Sequence, residues 1–534
     1  MDAQNLKQQA IARARQLEDN RLEWESLWKD ISEYILPRKG RFSGDTVNKP
    51  KTSPTSIVDA TATKALRGLA SGMHSGMTSP TRPWFRLAVR DSRLARSSAV
   101  SQWLGAVQNI LYDALARSNF YASIHTLYTE EAAFGTGALY QEEHPEHGFV
   151  FRVLTTGTYA LGMGDDGRAD SLYRTFWMSA KNVVSKWGKT ASRSTQDLAA
   201  SSPDRFVEVC HLIYPRQNFD PAKKDRLNMP FESLYWEKGS SGEEILSRSG
   251  FHEFPVMCPR WDVTAEDIYG QSPGLDALPD VKMLQQMAKG EIMALHKMNT
   301  PPMAKPAGYK ARLNLTPGGE NVVNITGGDA SVKPLYEVRT DIAAVSLRIE
   351  KLQAAVREWF FNDLFLLLNQ TPNMTATEVM ERHEEKLLLL GPVIERQQYE
   401  LLDPLIDRTF NTLLRNRKLP PPPAALMGQD LKVDYISLLA QAQKMAGLRS
   451  LESATQYAGA LAQVSPQVLD RIDTDAALTA YADIVGLPAN VLRGDDDVQR
   501  IRKARALQMA QAQAAQVQAQ AAGAQAQPET GNGN

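Results

Sequence analysis

Ile342, Val345, Ile349, Leu352, Val356 and Trp359 fall alternately three and four residues apart. Only a helical turn brings such positions to one side, so the segment is committed to an α-helix with an apolar seam that needs another helix. A matching stripe stands upstream, in Leu278, Val281, Leu284, Ala288, Ile292 and Leu295. Between the two lie "NTPPMAKP" and two Gly-Gly turns, from about Asn299 to Val338. The chain therefore holds a pair of helices flanking a compact mixed insertion, and the rest of the fold has to be arranged around it.

Before that pair the period changes twice. Leu17, Leu22, Trp24, Leu27, Trp28, Ile31 and Ile35 predict a helix over roughly Asn5 to Leu36, ended by Pro37. Further helices are predicted from about Ser56 to Met77, Arg93 to Arg117 and Phe120 to Ala133. Short β-branched and aromatic runs bounded by turn residues, such as "FVFRVLT", "SLYRTFWMS" and "RFVEVCHLIYP", predict a β-rich region from about Gly137 to Pro259. A small helix at about Ala180 to Trp187 interrupts it. After the helical pair, "NQTPNMTATEVMERHEEKLLLLGPV" (Asn369 to Val393) launches another long helix, expected to reach about Arg417 and to kink at Gly391-Pro392 and Pro404. "LPPPPAAL" is a stiff linker. A helical region is expected from about Asp434 to Val491, followed by an Ala/Gln-rich low-complexity tail.

Bulk properties exclude several classes. The 534 residues exceed what one ordinary core serves. A formal charge of −1, from 60 basic and 61 acidic side chains, lacks the basic excess of a protein that grips DNA tightly. The two cysteines, Cys210 and Cys258, have no partners at metal-ligand spacing, which fits a reducing compartment. No apolar run approaches the length of a membrane span, and "MDAQNLKQQAIARARQ" is too polar for a signal peptide.

Each motif that suggests chemistry has a plainer explanation. "ERHEE" (Glu381 to Glu385) lacks a second His four residues after His383, where Leu387 stands, so the two imidazoles of a zinc-protease helix are absent. Thr375 and Glu378 have the spacing of a capping box instead. "GMGDDG" (Gly162 to Gly167) joins two strands and carries two acidic residues that would repel phosphate, so it is expected to be a hairpin turn. "GKT" at Gly188 to Thr190 lacks the upstream Gly of a phosphate loop. "GDDDVQ" (Gly494 to Gln499) reads as the capped start of the final helix. No catalytic set, cofactor site or metal site is expected.

Several phrases together resemble the portal, or head-to-tail connector, proteins of short-tailed bacteriophages. They are "RLEWESLWKDISEYILPRKGRF", "DATATKALRGLASGMHSGMTSPTRPWFRL" (Asp59 to Leu87), "EEAAFGTGALYQEE" (Glu130 to Glu143), "YGQSPGLDALPDVKMLQQM" (Tyr269 to Met287), "MNTPPMAKP" (Met298 to Pro306) and "TATEVMERHEE". They run in order from about Arg13 to Leu419; the Ala/Gln tail carries no such signal.

The resemblance implies an α+β, mainly helical portal fold with a β-rich insertion in the wing, assembled as a ring, usually of twelve identical subunits, at one capsid vertex. It assigns residues 1–275 to the wing, 276–298 to the first stem helix, 299–338 to the clip and 339–361 to the second stem helix. Residues 362–375 become a channel loop, 376–419 a long kinked helix, 420–497 the crown and 498–534 the tail. Double-stranded DNA would pass through the channel, entering at packaging and leaving at ejection. Terminase, major capsid and scaffolding proteins and later tail adaptor proteins would be the partners, with assembly in the host cytoplasm and a final place in the virion. The loop residues expected to face the channel are Asn369, Gln370, Thr371, Pro372, Asn373 and Met374. Lys282, Lys289, Arg348 and Lys351 are candidate channel-lining cations, although any one of them is equally well an ordinary solvated helix charge. The neutral balance fits a conduit, since a strongly basic lining would hold phosphates and slow transit. The rival classes are a phage-associated hydrolase and a sequence-independent DNA-binding scaffold.

Overall fold

The computed structural model describes residues 3–366, 390–437, 452–485 and 495–524 apart from short internal stretches, the longest being 43–56 and 322–332. In chain order the main elements are α1 (Ala3–Tyr34), α2 (Thr61–Met77), β1 (Phe85–Val89), α3 (Ser98–Arg117) and α4 (Phe120–Phe134). The β-rich part follows: β2 (Leu139–His144), β3 (Gly148–Val153), β4 (Tyr159–Met163), β5 (Ala169–Ser179), α5 (Ala180–Trp187), α6 (Arg193–Ser201), β6 (Phe206–Pro215), β7 (Phe231–Glu237), β8 (Ser247–Phe251) and β9 (Val256–Met257). Then come α7 (Pro273–Asn299), β10 (Met303–Ala304), β11 (Lys333–Pro334), α8 (Ile342–Trp359) and α9 (Asn362–Leu366). The chain continues as α10 (Gly391–Gln397), a π-helical turn (Gln398–Leu402), α11 (Asp403–Arg415), β12 (Leu431–Tyr435), α12 (Thr474–Val485) and α13 (Asp495–Ala524).

A five-stranded antiparallel sheet, in the order β4-β5-β6-β7-β8, is covered on both faces. Because side chains alternate along a strand, Cys210, Leu212, Leu234 and Trp236 face one way, against Leu6, Ala10, Ala14 and Leu17 of α1. Val209 and Tyr235 face the other, against Val183 of α5 and Ala191. A smaller sheet, β3-β2-β9, and the helices α2, α3, α4, α7, α8 and α11 enclose the largest core. This matches the α+β architecture expected from the sequence. Gly162 to Gly167 do form the turn between β4 and β5, with the Gly164 amide donating to the Arg168 carbonyl at 2.8 Å.

Several expectations need correcting. Leu22 and Leu27 are exposed, because the buried face of α1 runs through Leu17, Trp28, Ile31 and Ile35. α2 starts at Thr61 rather than Ser56, where Asp59 Oδ1 accepts from the Thr61 amide at 2.7 Å. The stretch around Asp434 is not helical. Leu431–Tyr435 pairs antiparallel with Phe85–Val89, in register Phe85↔Tyr435, so a strand after the proline linker closes on one near the N-terminus. Residues 362–366 are helical rather than loop. The next described helix begins at Gly391, with Pro392 in the first turn, where a missing amide costs nothing. A π-helical turn precedes Pro404, which lies in the first turn of α11. The final helix does start within Gly494 to Gln499 as expected, at Asp495, and runs into the Ala/Gln-rich tail as far as Ala524, as strong helix formers such as Ala and Gln allow.

Candidate functional site

α7 and α8 form the antiparallel pair that the two apolar stripes predict. Ser272 caps α7, its hydroxyl accepting from the Leu275 amide at 3.0 Å, and Asp341 caps α8 by accepting from Ala344 at 3.1 Å. Burial is graded along the pair. Leu278, Val281, Leu284 and Ala288 are buried, and so are Ile349, Leu352 and Val356. Further from the body the same stripe emerges: Ile292 is 43% exposed and Leu295 38%. Trp359, the last seam residue, also lies outside, 44% exposed, with its indole donating to Asp280 at 3.0 Å.

The four candidate cations do not form a set. Lys282 is paired with Asp30 of α1 at 2.7 Å and lies over the Tyr34 ring. Lys289, Arg348 and Lys351 are exposed, on two different helices. Asn369, Gln370, Thr371, Pro372, Asn373 and Met374 lie outside the described residues, as do Thr375, Glu378 and His383.

The positions flanking that stretch are packed. Phe360 and Leu364 before it, and Leu390 and Ile394 after it, belong to one buried core. The returning helix is then held to the β-rich part by a chain of polar contacts. Glu400, in the π-helical turn, takes Arg260 by three bonds: from its backbone amide at 3.0 Å, from Nε at 3.2 Å and from Nη2 at 2.6 Å. Arg260 also donates to the carbonyls of Gly167 and Asp267. Gln397 donates to Glu131 of α4. Glu253 accepts from Arg408 and, through both oxygens, from Arg415. Thr409 accepts from Gln141 at 3.0 Å, and Asp403 accepts from Tyr435 of β12 at 2.5 Å. Arg168 stacks on Tyr399, 3.4 Å above the ring.

Burial dominates the electrostatics here. Glu131 is fully buried and its pKa is pushed well above the usual carboxylate range by desolvation, with the Glu400 charge adding to the shift. Its second oxygen and the Gln397 amide oxygen have no hydrogen-bond partner. Asp403 and Asp407 are raised for the same reason, and Arg408 is lowered by its burial. A cavity of about 320 Å³ beside these groups is lined by Asp170, Asp407 and Arg408 among others. Among the described residues no group of three His, Cys, Asp or Glu side chains could hold a metal ion, and no helix is long and apolar enough to cross a membrane. The sequence does not reveal this polar chain, because most of its partners are far apart along it: Gln397 from Glu131, Glu400 from Arg260 and Arg408 from Glu253.

The described residues combine long helices, a helical pair whose apolar stripe emerges into solvent, and a β-rich part tied to the returning helix by polar contacts. Residues 7–492 match the model of the family described as "Bacteriophage head to tail connecting protein". The chain belongs to that family. It is 38% identical over 513 residues to the "Probable portal protein" of Bordetella phage BPP-1, covering 95% of this chain and 92% of that one. It is equally 38% identical over 512 residues to the "Portal protein" of Salmonella phage epsilon15, with the same coverage. A chain from the neck of an empty GTA particle aligns at 12% identity and a TM-score of 0.32 over 71% of this chain and 80% of that one, too slight a likeness to argue from. Proteins of this family are structural connectors of the virion, not enzymes, and the portal member provides the channel through which the genome is packaged and ejected.

Proposed function

We propose that the α7–α8 pair is the stem of a ring of twelve copies, with residues 1–275 as wing, 299–338 as clip and 420–497 as crown. The stretch containing Asn369 to Met374 then faces the channel and touches double-stranded DNA. One observation supports this reading: Leu364 and Leu390, the core residues described on either side of this stretch, belong to a single buried core, and the helix that follows is tied down by the buried Arg260–Glu400 ion pair. Loops act on ligands when rigid elements fix their ends. The residues Asn369 to Met374 are uncharged, and amides, a hydroxyl and a pliant methionine make weak, exchangeable contacts with a moving backbone.

On this reading Lys289, Arg348 and Lys351 guide phosphates, whereas the Lys282 charge is already matched by Asp30. Terminase docks at the clip during packaging and tail adaptors replace it. Capsid and scaffolding proteins contact the wing, and assembly proceeds in the host cytoplasm. The test is to shorten Gln370 to Asn373 while keeping Thr375 and Glu378. Rings and heads should still form, seen by negative stain, while packaged genome length or retention falls. Full-length, stably held DNA at wild-type yield would remove the loop from DNA handling.

A further inference from the structure

The turn between α8 and α9 has an unusual residue in an unusual conformation. Phe360 closes α8, and Phe361 follows in the left-handed region at φ +52°. That position after a helix is ordinarily a glycine, because a Cβ there crowds the backbone. A bulky aromatic is held there only when its surroundings compensate the strain. Here they do. The Phe361 amide donates to the Glu358 carbonyl at 2.9 Å, and its own carbonyl accepts from Leu364 at 3.0 Å. The ring lies 6.2 Å from that of buried Trp261. Phe360 on one side is fully buried, and Asn362 on the other nearly so.

A second observation is independent of the first. Asn362 seats directly on α2 at Gly68. A Cβ added to Gly68 would stand 2.5 Å from Asn362 Oδ1 and 3.4 Å from its Cγ, so a side chain at 68 would have to push the Asn362 amide out of its present seat. α8 is itself tied to two neighbours just before this turn. Gln353 donates to Asp59 just before α2 at 2.7 Å, and Trp359 donates to Asp280 of α7.

We infer that Phe361 and the Asn362–Gly68 seat are positioning residues: together they form a rigid pivot that sets the direction in which the chain leaves α8 for the segment between Leu366 and Leu390. The strained turn fixes the exit angle, and the glycine seat fixes how close α9 lies to α2. Neither touches DNA. The inference rests on the reading that this segment acts in the channel.

The test uses full-length protein in assembling heads. Gly68→Ala places the better helix former in α2 but fills the seat. Heads should assemble and melting should be unchanged, while the yield of DNA-filled heads falls. Adding Asn362→Ala removes the atom that clashes, so the double variant should recover filled heads. Phe361→Gly relaxes the turn and frees the exit angle, and should likewise lower filled heads in rings that still form. Wild-type packaging by Gly68→Ala, or failure of the double variant to recover, overturns the pivot. If shortening Gln370 to Asn373 impairs packaging and Gly68→Ala does not, only the pivot is wrong. If the shortened loop packages normally, the channel reading itself is wrong.

Discussion

At the residue scale, two buried titratable groups have opposite responses to pH. His211 is completely buried in the five-stranded sheet, stacked on Tyr235 with ring centres 3.7 Å apart. Its Nδ1 accepts from Arg174 Nε at 3.1 Å, so the ring must be neutral there. Desolvation, helped by the Arg174 and Lys186 charges, lowers its pKa well below the usual 6.5. As pH falls below that value the unfolded chain takes up a proton that the folded chain refuses, so this stability is present above it and lost toward the depressed folded pKa. Glu131 has the opposite sign. Its pKa is raised above the ordinary 4.5, so its favourable contribution is complete below that and lost as pH rises through the folded value. Glu131→Gln keeps a hydrogen-bonding amide facing Gln397 and removes the charge that burial penalises. It should melt higher than wild type at about pH 8, with the gap closing toward about pH 4.5. His211→Gln should melt lower at neutral pH, having lost the stacked ring, but should lose less between about pH 8 and about pH 5 than wild type does. A melting series over pH on each single variant checks both, and an unchanged slope in either would place the titration elsewhere. Neither group stood out in the sequence. "VCHLIYP" and "EEAAF" read only as a strand and the end of a helix, since what makes His211 and Glu131 unusual is what packs around them.

At the element scale, most of the fold was legible where the period was long and clean. The small helix at Ala180–Trp187 appears within the expected bounds, and the ends of α3 and α4 agree to within a few residues. The failures have physical causes. Leu431, Val433 and Tyr435 alternate as a strand should, but five residues beside a proline run are too short to read without their partner, Phe85–Val89. Leu22 and Leu27 counted toward a helical stripe, yet a thirty-two-residue helix rotates its buried face from the sheet to the helical core and leaves them outside. The return helix was expected to kink at prolines, and its π-helical turn was not foreseen. That turn carries Glu400, whose pairing with Arg260 buries both side chains. Breaking one partner of a buried pair leaves an uncompensated charge and typically costs about 3–5 kcal/mol. Glu400→Ala should therefore lower the melting temperature far more than Arg152→Ala, whose pairing with Glu142 is exposed. Equal effects in thermal melts would show that the π-helical turn is held by its apolar contacts alone.

At the scale of the whole molecule, the question is which parts a ring needs. The α7–α8 arm leaves apolar side chains in water, among them Ile292, Met293, Leu295 and Leu347. A lone helical pair cannot cover its own outer faces, and a neighbouring copy can. Purified protein should accordingly scatter light as a particle many times 59.2 kDa. The C-terminal helix is different. From Gln499 to Ala515 every residue is exposed, and the helix is held to the preceding one by a bidentate pair from Arg502 to Asp475, both distances 2.8 Å. Beyond Arg505 it has no charge until Glu529, and little but Ala, Gln and Gly to bury. Deleting Gln511 to Asn534 removes no buried residue described in the structure and keeps the Arg502 contact. The truncated chain should give rings of the same diameter in negative stain, at the same protein concentration as the full chain. A truncated protein that stays monomeric while melting like wild type would mean that the Ala/Gln helices of neighbouring copies hold the ring together.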